Sequence, residues 1–201
     1  MELMPLVFSS GWASGVNAYL VVLVLGVLGR FSDVGGVPDA LTRTDVLVVA
    51  GVLYAAEFVA DKIPYVDSTW DAVSTAIRPI AGVVIALLVS GDATSLEQAV
   101  YAAVGGGTAL ASHAVKAGTR LAINTSPEPV TNVAASLGED VTVAGVVLLA
   151  VYHPWWALGA SATLLVVGLV VLLLVIGRVR RGWRRWRARD ENRPQPVAGR
   201  P

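Results

Sequence analysis

The sequence contains no cysteine. Disulfides, thiolate metal sites and cysteine nucleophiles are therefore excluded. It has two histidines, His113 and His153, too far apart in the chain to make a dedicated zinc site. It has no HExxH pair, no glycine-rich phosphate loop and no nucleophile elbow. The residues Met1-Glu2-Leu3-Met4-Pro5 carry no Lys or Arg. A cleaved signal peptide needs a positive n-region, so the first apolar run is expected to stay in the mature chain. No cofactor and no resident metal are expected.

What is present is apolar. The chain has 201 residues, one domain by length, is 55% hydrophobic and has a mean hydropathy of +0.65. That is too apolar for an ordinary soluble domain, and it points to an integral membrane protein. A membrane helix needs about 20 apolar residues. Six such segments emerge, at about 6–28, 45–60, 70–89, 96–123, 130–151 and 154–176. The expected fold is an all-α polytopic membrane bundle of about six transmembrane helices.

The net charge is zero, yet it is divided. Residues 1–177 hold six Lys/Arg and thirteen Asp/Glu, whereas residues 178–201 hold nine Arg and two acids. This divides the chain into a transmembrane helical domain, 1–177, and a basic tail, 178–201, whose last residues "NRPQPVAGRP" read as disordered. Positive charge marks the cytoplasmic side. With six spans, both termini would be cytoplasmic in the cell inner membrane, although Arg30 and Arg43 fit an outside loop less well. The tail anchors topology, with Trp183 and Trp186 at the interface, and its Arg/Trp cluster would also suit anionic lipids. Nucleic acid is not an expected partner.

Polar residues inside the apolar segments follow helical spacing. Tyr54, Glu57 and Asp61 fall at i, i+3, i+7, as do His113, Lys116 and Arg120, and Asn124 extends the second stripe. Asp71, Thr75 and Arg78 form a third stripe, and Asn132, Ser136 and Glu139 a fourth. The segments match in pairs with an offset of about 59 to 61, which suggests an internal repeat of helices two and three in helices four and five. In it Glu57 and Asp61 correspond to Lys116 and Arg120, and Arg78 to Glu139, with the signs exchanged.

A charge at the centre of a membrane helix costs roughly 2.5–3.5 kcal/mol. Glu57, Arg78, Lys116 and Glu139 facing lipid would cost about 10 kcal/mol, comparable to the stability of a whole domain. They are expected to face inward, acid stripe against basic stripe and Arg78 against Glu139. Pro79 should kink the third segment, and Gly105-Gly106-Gly107 should break the fourth. Gly11 and Gly15 permit close helix approach. His113 is placed to titrate near neutral pH.

The stretches "GVNAYL", "EFVADKIPYVDSTWD", "RPIAG" and "ALASHAVKAGTRLAINTSPEPVTNVAASLGED" resemble the bacterial membrane proteins grouped as domain of unknown function 4126. The resemblance covers about residues 10–150 and implies a multi-pass membrane protein, without an activity to carry over.

The leading expectation is a small transporter or channel-like carrier of a small polar or charged solute. Its substrate-binding residues would be Glu57, Asp61, Asp71, Arg78, His113, Lys116, Arg120, Asn124, Glu128, Asn132 and Glu139. The small size of each half points to a homodimer. Two alternatives stand beside it. One is an assembly protein whose ion pairs only set helix register. The other is a head-group-modifying enzyme using Asp61, Asp67, Asp71, Arg120 and Glu128.

Overall fold

A computed structural model of the chain describes residues 3–32, 35–63, 65–124 and 129–191. Among these residues there are seven helices and no strand: α1 Met4–Phe31, α2 Asp39–Thr42, α3 Thr44–Ala60, α4 Val66–Ser90, α5 Ser95–Ile123, α6 Pro129–Tyr152 and α7 Pro154–Glu191. Four are long and apolar enough to cross a membrane: Met4–Phe31, Val66–Ser90, Val130–Tyr152 and Pro154–Arg181. The 17-residue α3 is about 25 Å long, short of a 30 Å hydrocarbon core. The 29-residue α5 is long enough, but its lower half carries His113, Lys116 and Arg120. The chain is a membrane-embedded helical protein. Residues 178–191 continue α7, and the described side chains end at Arg181, before Trp183 and Trp186.

The apolar stretch of α1 is 61% buried and packs against every other helix, whereas that of α7 is only 6% buried. So α1 is the core of the bundle and α7 an outer wall facing lipid. The helix α1 is not straight. Asn17 has φ −152° and ψ 95°, an extended conformation inside the helix. Its Oδ1 accepts the amide of Leu20 at 3.0 Å, so Asn17 caps a second half-helix from its own N-terminus.

The two halves of α1 fold back on each other. Leu3 and Leu6 from the first and Leu25 from the second line one space with Val89, Ala150 and Val151. These last three residues lie at the ends of α4 and α6, which defines the upper end of the bundle. The expected single crossing over 6–28 is therefore a helical hairpin with its tip at Asn17. Its apolar length imitates a span because each half, 13 or 14 residues, descends or climbs about 20 Å.

Helices α4 and α5 run antiparallel and pack through glycine. A Cβ on Gly82 would lie 2.6 Å from the Gly105 carbonyl oxygen, and one on Gly105 would lie 2.6 Å from that of Gly82. This backbone contact is what the Gly105–Gly107 run serves. The expected break there is absent, and α5 is continuous. So is α4 through Pro79. A capping box on Thr94 and Glu97 starts α5. Gly118 packs on Leu172 and Gly168 on Val115, so α7 runs parallel to α5. The basic end of α7 therefore lies at the lower end, with Arg120 and Asn124.

Candidate functional site

The polar stripes meet in the lower half of this bundle. Glu57 and Asp61 come from the last turn and C-cap of α3, Asp67, Asp71 and Arg78 from α4, and His113, Lys116 and Arg120 from α5. All are buried, and the Arg120 side chain is 0% exposed. Asn132 and Ser136 of α6 are buried beside them, and Glu139 is half-buried.

The charges form a ladder. At its foot, Asn124 donates to Asp67 at 2.8 Å and to Ser68 at 2.8 Å. Arg120 comes next. It grips Glu139 through Nε at 3.2 Å and Nη2 at 2.7 Å, and donates to the Asp61 backbone carbonyl at 3.1 Å and to Asn132 Oδ1 at 3.3 Å. Such a two-pronged guanidinium–carboxylate pair fixes geometry as well as charge. Lys116 stands one turn above. Its Nζ donates to Asp61 at 2.7 Å, to Glu57 at 3.4 Å and to the Val16 carbonyl at 3.1 Å.

Arg78 is the top rung. It pairs with Glu57 Oε1 and, at 3.1 Å, with Asp71, and donates to the Gly15 carbonyl at 3.2 Å. It is the thirteenth of the 25 residues of α4, so the ladder runs from the lower end to mid-depth. At that depth it meets the tip of the α1 hairpin. Asn17 interrupts the helix after Gly15 and Val16, and the carbonyls of those two residues receive Arg78 and Lys116. Asn17 itself donates to Asp140 at 3.1 Å, which also accepts from Tyr54 at 3.4 Å.

His113 sits against Arg78. The Arg78 guanidinium can only donate, so His113 Nδ1 accepts at 2.8 Å. Nε2 lies 3.0 Å from Thr75 Oγ1, and that hydroxyl donates to the Asp71 carbonyl at 3.0 Å. This chain of donors holds a neutral imidazole with its proton on Nε2. A ring so placed orients Arg78.

One expected pairing is corrected. Arg78 does not meet Glu139; its acids are Glu57 and Asp71, and Glu139 belongs to Arg120, with Lys116 at 3.6 Å. The repeat correspondence placed Arg78 and Glu139 at the same step of two helix pairs, but helical spacing specifies a face and not which residue of another helix lies opposite. Glu128 lies outside the described residues. Three residues outside the expected carrier set belong to the ladder: Asn17, Asp140 and Asp67, the last expected only for the enzyme alternative. Asn17 had a readable signal, an Asn just before the apolar run that starts at Ala18. Asp140 follows Glu139 directly and so falls off the stripe on which Glu139 was found.

Several buried acceptors have no hydrogen-bond partner among the described residues, including Glu57 Oε2, Asp61 Oδ1 and Asp71 Oδ2. Acids also outnumber bases. Glu57, Asp61, Asp67, Asp71, Glu139 and Asp140 stand around Lys62, Arg78, Lys116 and Arg120, six carboxyls to four cations. Among the described residues, no cluster of His, Asp and Glu has the arrangement of a metal site.

The model of the domain of unknown function family DUF4126 matches residues 4–174, and the chain belongs to that family. No curated protein and no solved structure matches the chain.

Proposed function

We propose that the protein is a membrane carrier for a small charged solute, bound where the ladder meets the broken helix. The observation that carries this reading is the α1 tip. There the Gly15 and Val16 carbonyls, freed at Asn17, face Arg78 and Lys116 at mid-depth. Interrupted helices that place backbone carbonyls at mid-membrane recur where transporters bind substrates and coupling ions. Ionisable side chains in membrane segments mark such sites for the same energetic reason: their burial is costly without a role or a partner.

In this reading the lower end is cytoplasmic, because α7 carries Arg178, Arg180 and Arg181 there. The Arg-rich tail then faces anionic lipid. The six-span arrangement becomes five crossings, α3 to α7, with the shorter α3 matched by local thinning of the bilayer, plus the α1 hairpin entering from the outside. A homodimer stays part of the proposal, with the apolar face of α7 as its contact.

The test is solute flux in proteoliposomes, with wild type beside Arg78→Gln and Asn17→Ala. Flux that falls at least tenfold in both variants supports the carrier. A second reading, that the ion pairs only set helix register, is favoured by how fully Lys116 and Arg120 are paired. It predicts that Arg78→Gln combined with Glu57→Gln keeps whatever function the single Arg78→Gln variant loses.

A further inference from the structure

The ladder touches open space beside Lys116 and Glu139. A cavity of about 400 Å3 lies between α1, α5, α6 and α7, and its lining includes Trp12, Ser112, Lys116, Gly138, Glu139 and Thr142. Small-molecule sites run to roughly 300–1,000 Å3 and are mostly apolar with a few placed polar groups. Glu139 is the carboxylate that reaches it. Its side chain is 21% exposed, whereas those of Glu57, Asp61, Asp67 and Asp71 are at most 4% exposed.

Two hydroxyls beside the cavity have spent their hydrogens. The Ser112 hydroxyl donates to the Trp12 carbonyl at 2.7 Å, and that of Thr142 to the Gly138 carbonyl at 2.6 Å. The Lys116 ammonium is committed to Val16, Glu57 and Asp61. What remains is lone pairs on these two hydroxyls and on Glu139, whose carboxylate can accept about four hydrogen bonds while Arg120 supplies two, beside the Trp12 indole N–H and the Thr119 hydroxyl, which also line the cavity. Arg120 at 2.7 Å and Lys116 at 3.6 Å already flank this carboxylate, so a ligand cation meets its remaining lone pairs. The Trp12 ring adds a wall suited to a cation.

We infer that this cavity binds a protonated amine with an apolar body, its N–H donors on Glu139 and its body between α1, α5 and α7. The inference gives the solute class for the carrier proposed above and rests on that reading for its transport meaning, but not for binding.

Gly138 supplies the decisive variant. A Cβ added there meets nothing within 4 Å, so Gly138→Leu fills the cavity without striking the backbone. The experiment measures saturable binding of radiolabelled 2-phenylethylammonium to the full chain in phosphatidylcholine nanodiscs, with 2-phenylethanol as the uncharged competitor. The expected result is binding to the wild type, weakened at least tenfold in both Gly138→Leu and Glu139→Gln, with the alcohol competing at least tenfold less well than unlabelled amine. Thermal melts verify that each variant folds, and Gly138→Leu keeps the test open if Glu139→Gln does not. Absence of saturable binding, equal binding by folded Gly138→Leu, or equal competition by the alcohol overturns the inference. Amine binding without flux of any solute would sink the carrier reading alone. Flux of other solutes without amine binding would sink this inference alone.

Discussion

The upper and lower halves of the α4–α5 pair solve the same problem with opposite materials. Above Arg78, Gly82 and Gly105 bring the two backbones together, and Gly11 and Gly15 dock α1 on α5. That half is held by close contact and carries no ion pair among the described residues. Below, the helices are held by Glu57, Asp61, Asp67, Asp71, Arg78, Lys116 and Arg120, every one buried. Without a hydrophobic effect between helices in lipid, close packing and polar contacts are the two available adhesives. Their separation along one helix pair leaves a close-packed upper half above a polar interior.

The comparison can be broken from below at Arg120. This guanidinium ties α5 to the α3 C-cap and to α6 at once, and its removal leaves Glu139 and Asp61 less compensated. Breaking a buried pair from one side costs about 3–5 kcal/mol. Arg120→Ala should therefore lower stability by about that much, measured by denaturant unfolding in micelles. A loss below about 1 kcal/mol would mean that water already reaches this rung.

It can be broken from above at Gly15. A Cβ there would lie 1.9 Å from Ser112 Oγ and 2.1 Å from the Ala109 carbonyl oxygen. Overpacking of this kind costs about 1–3 kcal/mol. Gly107 has nothing within 4 Å of its Cβ position and is the matched control. Gly15→Ala should destabilise by about 1–3 kcal/mol in the same assay while Gly107→Ala is neutral or slightly stabilising. Equal effects would show that α1 does not dock through Gly15.

Much of this was legible in the sequence for a physical reason. Apolar length and composition place a helix without reference to its neighbours, so the segments at 45–60, 96–123 and 130–151 fall within a few residues of α3, α5 and α6. Helical spacing likewise brought Glu57 with Asp61 and Lys116 with Arg120, and the cost of unpaired charge made acid meet base. Depth and reversal were not legible. A hairpin of two half-helices has the same apolar count as one span, and only the backbone at Asn17 tells them apart. Which acid faces Arg78 depends on how far α3 and α6 slide along α4, a quantity no intrahelical spacing contains.

The smallest perturbation gives the sharpest separation of span from hairpin. The chain has no cysteine, so one introduced thiol is a unique label. Leu3 precedes α1 at the upper end, and Arg181 is exposed on α7 beyond the lower end. Neither change removes a buried ion pair or a glycine contact, so each should cost little stability. If α1 turns back at Asn17, Leu3→Cys and Arg181→Cys lie on opposite sides of the membrane. A membrane-impermeant maleimide added to intact cells should then label Leu3→Cys and spare Arg181→Cys until the cells are opened. If α1 crosses once, as its length alone suggests, both thiols share a side and label together. That result would also remove the Gly15 and Val16 carbonyls from the centre of the ladder, because the same reversal puts them there.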